Sequence, residues 1–199
     1  MITIIGLGSL LSKESALRTC PSLQNFRIAY LSGWKRVFNK TDSDFVKNNQ
    51  MPVDHRKYAC LSAIPSHDQE KMVISAFEIH ETEWISFLKR EFEYKLIKVP
   101  FTDQNSKEAH GILCAGDYTD DSECELVCQS DPYRLPLWEI YKSNCSEPMW
   151  RTDLLPDDDY IQRCINFVKE HGDSVYNNFI KTTYIGDQSQ TIKDYLNLT

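Results

Sequence analysis

The chain has 199 residues, 41% of them hydrophobic and 12% aromatic, which suits one domain with a real core and is too apolar for a disordered chain. Its net charge of -7 argues against a nucleic-acid or anionic-membrane partner, since both need a basic face. No apolar run approaches the roughly 20 residues of a membrane span, and the N-terminal run is too short and lacks the basic flank of a signal peptide. A cytoplasmic location with reduced thiols is therefore expected for the seven irregularly spaced cysteines. No Cys or His pair has metal-site spacing, so no metal is expected.

In chain order, residues 1–7 read as a strand that runs into Gly6-Leu7-Gly8-Ser9. Ser12 is placed to cap a short helix ending before Pro21. Residues 26–31 and 34–39 read as a hairpin joined at Ser32-Gly33, and 40–57 as polar loop. Strands follow at 58–64 and 72–79, with a turn over 65–68, then a helix at 82–91. Residues 94–99 and 111–115 are further strands separated by a loop that includes 107–110. The acidic stretch 117–125 reads as a solvated excursion. Helices at 135–142, 157–171, 174–181 and 191–196 make the last third helical. Strands early and helices late predict an α+β fold in one domain spanning 1–199.

Three places could carry chemistry. A chain with seven glycines puts two of them within its first eight residues. Leu11 stands where a dinucleotide fingerprint needs its third glycine, and no Gly-Lys-Ser/Thr follows, so both nucleotide readings fail. What remains is a strand-ending turn whose backbone N–H groups suit a carboxylate or oxyanion. The plainer alternative is a simple turn.

Glu91 is the second candidate. It falls i+7 from Trp84, i+4 from Phe87 and i+3 from Leu88, on the helix stripe expected to be buried. A desolvated carboxylate has a raised pKa useful in proton transfer. The alternative is a helix-end Glu pairing with Arg90 or Lys95. The third is Tyr160, at the entry end of the inner face formed by Ile161, Cys164, Ile165 and Val168, with its hydroxyl placed to reach a ligand or simply to snorkel. Trp34, Trp138 and Trp150 read as core or cover.

Taken together these stretches resemble the γ-glutamylcyclotransferase-like family. Its first strand runs into Tyr-Gly-Ser-Asn-Leu or Tyr-Gly-Ser-Leu, and LGSLL at 7–11 corresponds. SGWKRVF at 32–38, CLSAIP at 60–65 and AFEI at 76–79 are similar to the strands that follow, FLKREFEY at 87–94 to the catalytic segment, and the helix opening DDDYIQRC at 157–164 to the closing helix. Leu7 and Leu10 replace the family's Tyr and Asn, and Phe92 replaces a glycine after the glutamate. The region 101–156 is longer than in short members.

The resemblance implies a mixed β-barrel of about five to seven strands with flanking helices. It implies Glu91 as acid/base, and a small-molecule γ-glutamyl substrate bound by Leu7, Gly8, Ser9, Leu10, Leu11, Tyr94 and Tyr160. The product would be 5-oxoproline, formed without metal or cofactor. A non-catalytic binding or interaction module on the same scaffold is the alternative.

Overall fold

The computed structural model describes residues 1–42, 56–67, 71–118 and 120–198. Most of the expected loop at 40–57, the end of the 65–68 turn, and Thr119 within the acidic stretch lie outside the described residues.

The N-terminal apolar run forms β1 (Ile2–Gly6), followed by a 3₁₀ turn (Ser9–Leu11) and α1 (Lys13–Leu17). Ser12 caps α1 as expected, its hydroxyl accepting from the Ser15 N–H. Then come β2 (Gln24–Leu31), β3 (Trp34–Thr41), β4 (Lys57–Pro65) and β5 (Met72–Ile79). A 3₁₀ turn (Glu81–Glu83) leads into α2 (Trp84–Arg90), and β6 (Lys95–Asp103) and β7 (Glu108–Ala115) follow. The rest is α3 (Asp121–Gln129), α4 (Leu135–Asn144), β8 (Leu155–Pro156), α5 (Asp158–Glu170), α6 (Asp173–Thr182), β9 (Thr183–Ile185) and α7 (Ile192–Tyr195).

The class is α+β, built on a closed five-stranded barrel. β1 pairs antiparallel with β5, β5 with β2, β2 with β6 and β6 with β7, and β7 returns to β1 in parallel register, Ile4 opposite Ile112. Closure leaves these five strands without free edges. The sheet then extends from β7 through β4 and β3 to β9.

Three expectations are corrected. β2 and β3 do not form a hairpin. Gly33 turns the chain with φ +78°, but β2 is taken up between β5 and β6 while β3 pairs with β4 and β9. Strand pairing is set by tertiary context, which local hairpin chemistry does not encode. Residues 108–110 are strand, since the β6–β7 ladder runs on to Thr102 opposite Glu108. The acidic stretch contains the start of α3, whose N-cap Asp120 accepts from the Ser122 N–H and whose first turn carries Asp121 and Glu123. Carboxylates there complement the helix dipole.

Two apolar clusters flank the sheet, and β1 feeds both through strand alternation. Ile5 joins Leu31, Phe38, Ile161 and Phe179 beneath α5 and α6. Ile4 joins Phe77, Phe87, Trp138 and Tyr141 beneath α2, α3 and α4. The seam between the clusters opens at the C-terminal end of β1.

Candidate functional site

At that seam lies a small, open-mouthed cleft of about 40 Å³, lined by Ile5, Leu7, Gly8, Ser9, Leu10, Leu61, Glu91, Tyr94, Cys114 and Tyr160. Seven of the eight residues singled out in the sequence meet here although they span positions 7 to 160. Leu11 does not. It is fully buried in the core beside Ile5, because the 3₁₀ turn rotates it away from the opening.

The carbonyls of the turn after β1 are held individually. Arg36 Nε donates to the Leu7 carbonyl at 2.9 Å, the Leu11 N–H to that of Gly8 at 2.9 Å, and Ser75 Oγ to that of Leu10 at 2.7 Å. The Ser9 N–H donates to the Tyr160 hydroxyl over a long 3.4 Å. A side chain at Gly8 would run into that same hydroxyl, so glycine here is a requirement of close approach. Tyr160 is positioned by the start of α5, where the Asp157 carboxylate accepts its backbone N–H at 2.6 Å, and by an edge-on contact with Phe38.

Glu91 caps the C-terminus of α2, its N–H donating to the Phe87 carbonyl at 3.0 Å. Phe87 and Leu88 are buried as the periodicity requires, and Glu91 is only 9% exposed, whereas Ile85 faces solvent. Burial raises the Glu91 pKa above 4.5, opposed by the adjacent Arg90 and reinforced by the Glu93 carboxylate. The pairing considered for Glu91 is made by Arg90, Nε to Oε1 at 2.9 Å, and Lys95 is engaged instead by Asp117 and Glu123.

Arg90 does more than pair with Glu91 and is the hub of the site. One Nη donates to the Ser15 carbonyl and Thr19 Oγ1, the other to Ser9 Oγ at 3.0 Å and Ser15 Oγ at 3.2 Å. One guanidinium thus joins Glu91 to the glycine-containing turn. Helix periodicity carried no signal for this, because the partners of Arg90 other than Glu91 lie 71 to 81 residues away in the chain.

Tyr94 forms a wall of the cleft, its hydroxyl donating to the Leu61 carbonyl at 2.8 Å. Behind it Lys40 pairs with Glu93 at 3.3 Å and lies over the Tyr94 ring at 5.4 Å. Burial opposes the Lys40 charge, but the Glu93 carboxylate together with Cys60 and Asp42 outweighs it and the ammonium is held above its ordinary range. Ile5, Leu61 and Cys114 complete an apolar lining that the sequence did not single out. Cys114 is buried, which pushes its thiol pKa well up and leaves it a small apolar wall residue.

No family model matches the sequence, and no curated protein does. Among solved structures the chain is similar to one titled a gamma-glutamyl cyclotransferase, with a TM-score of 0.48 and 15% identity over 79% of this chain and 89% of that one. A refinement of an uncharacterized Homo sapiens protein gives the same four values. A solution structure from Arabidopsis thaliana gives a TM-score of 0.41 and 14% identity over 74% and 94%. At such distance the assignment of chemistry falls to the side chains of the cleft.

Proposed function

We propose that this chain is a divergent γ-glutamylcyclotransferase-like enzyme that releases 5-oxoproline from a γ-glutamyl amide. The observation that carries the reading is the buried carboxylate of the cleft lining, Glu91, which shares one small cleft with the Gly8–Ser9 turn, Tyr94 and Tyr160.

In such a reaction the substrate's α-amine attacks its own γ-carbonyl. A C–N bond forms, the amide C–N bond breaks, and the proton lost by the amine is returned to the departing nitrogen. Correct folding of a tethered nucleophile can contribute about 7–11 kcal/mol, so the enzyme's task is shape and proton transfer. Glu91 takes the ammonium proton and delivers it to the leaving amine, a task that suits a carboxyl with a raised pKa. Arg90 orients Glu91 through Nε and the turn through Ser9 Oγ. The Ser9 N–H, held by only a long bond to Tyr160, is available to a carboxylate or developing oxyanion. Leu7 and Leu10 do not weaken that donor, because a backbone N–H is independent of side-chain identity.

The test is release of 5-oxoproline from glutathione, γ-glutamyl amino acids and γ-glutamyl-ε-lysine by the purified chain. No release from any of them, or undiminished release by Glu91→Gln, overturns the reading. One feature favours the alternative of a binding module: the Tyr160 hydroxyl already occupies the space beside Gly8. Saturable binding of a γ-glutamyl compound without turnover would select that alternative.

A further inference from the structure

Arg36, on β3, is completely buried. Its Nε donates to the Leu7 carbonyl and one Nη to Thr182 Oγ1 and Thr183 Oγ1, at 3.2 and 3.3 Å. Its other Nη has no hydrogen-bond partner, and the guanidinium lies 4.8 Å over the Phe179 ring. All these partners are neutral, and among the described residues no carboxylate forms an ion pair with it. Burial lowers its pKa to about 9, yet a guanidinium keeps its proton at neutral pH, so it stands as a buried positive charge with no ion-pair partner among the described residues.

Such a charge is costly to bury unless something answers it. The Coulomb field of a cation in a low-dielectric interior extends past its contacts, and the residue Arg36 grips is the first of the turn that lines the cleft. The Leu7 carbonyl points back toward the guanidinium, and the following Gly8–Ser9 segment faces the opening.

We propose that Arg36 is the counter-charge for a carboxylate bound at the Gly8–Ser9 turn, acting through the turn as a positioning and specificity residue. The anion that compensates this buried cation is supplied by the ligand. The cleft therefore selects molecules with a free carboxylate over their neutral amides. Only the identity of the carboxylate-bearing ligand rests on the γ-glutamyl reading.

The experiment is titration calorimetry of the whole chain with 5-oxoproline and with acetate, each beside its neutral amide. Wild type should prefer the carboxylates by about tenfold or more, the size expected for one charge acting through a low-dielectric layer. Arg36→Met and Arg36→Gln should reduce that preference to near parity, and Arg36→Lys should retain part of it. In ¹⁵N-labelled wild type, the Arg36 Nε–H resonance should move saturably with a carboxylate and not with its amide. No preference in wild type, or one preserved in folded Arg36→Met or Arg36→Gln, overturns the proposal. If neither variant folds, an unmoved Nε–H resonance at saturation overturns it. Carboxylate preference for acetate without any 5-oxoproline release would leave this inference standing while the proposed reaction fails.

Discussion

Glu91 and Arg90 make one unit whose two members push the carboxyl in opposite directions. Burial holds the Glu91 pKa above 4.5 against the pull of the neighbouring guanidinium. Removing that guanidinium with Arg90→Met should therefore raise the carboxyl further. The acid limb of the rate profile should move to higher pH, with kcat falling more than KM changes, as read from kcat and KM across pH. Glu91→Gln should reduce 5-oxoproline release by about a hundredfold or more, the usual size of a lost acid/base group. The same variant tests the sign of the stability linkage. A carboxyl whose folded pKa exceeds its unfolded value favours folding fully at low pH, and that contribution is lost as pH rises between the two values. Glu91→Gln, which cannot ionise, should melt above wild type at neutral pH, and the difference should close as pH falls toward 4.5.

At the scale of elements, the cleft depends on how α5 begins. Asp157 satisfies the backbone N–H of Tyr160 and sits opposite the positive end of the helix dipole. Asp157→Ala should cost about 1 kcal/mol of stability in urea titrations, as lost caps commonly do, and should weaken ligand binding by loosening Tyr160. The Gly8–Tyr160 contact predicts a coupling. Gly8→Ala places a methyl group against the tyrosine hydroxyl, so it should impair binding in wild type and do less harm in a Tyr160→Phe background, measured as a double-mutant cycle. Ser12 caps the helix it was expected to cap, whereas Asp157 and Thr191, expected as first helical residues, stand one position earlier as the caps.

For the molecule as a whole, the Lys40–Glu93 pair links the barrel extension to the segment joining α2 and β6, with side chains only 6% and 2% exposed. One Glu93 oxygen has no hydrogen-bond partner. Breaking the pair from one side with Lys40→Met should cost about 3–5 kcal/mol, because it leaves an unanswered buried anion. Replacing both residues with apolar ones of similar volume should restore most of that stability, measured by chemical denaturation of both variants. The region 101–156 is part of this packing. Asp121 accepts the backbone N–H groups of Met149 and Trp150, and Trp150 packs against both Tyr94 and Tyr118. The helices of this region form one wall of the core beside the cleft. No helix among the described residues is long and apolar enough to cross a membrane.

Local chemistry by itself determined the helix caps, the buried stripe that leads to Glu91, and the glycine-containing turn after β1. Each rests on a period or a residue type acting within a few positions. Pairing partners were beyond its reach: residues 26–39 have hairpin chemistry, yet β2 and β3 separate and pair with strands distant in the chain, which no local signal encodes. The same holds for Leu11, which adjoins the cleft in sequence and faces the core in space. Arg90 and Arg36 show the limit most clearly. A long side chain on a helix end or a strand gives no sign of which backbone carbonyl or hydroxyl it will reach, and only the tertiary fold brought Arg36 to the Leu7 carbonyl and Arg90 to the Ser9 hydroxyl of one turn.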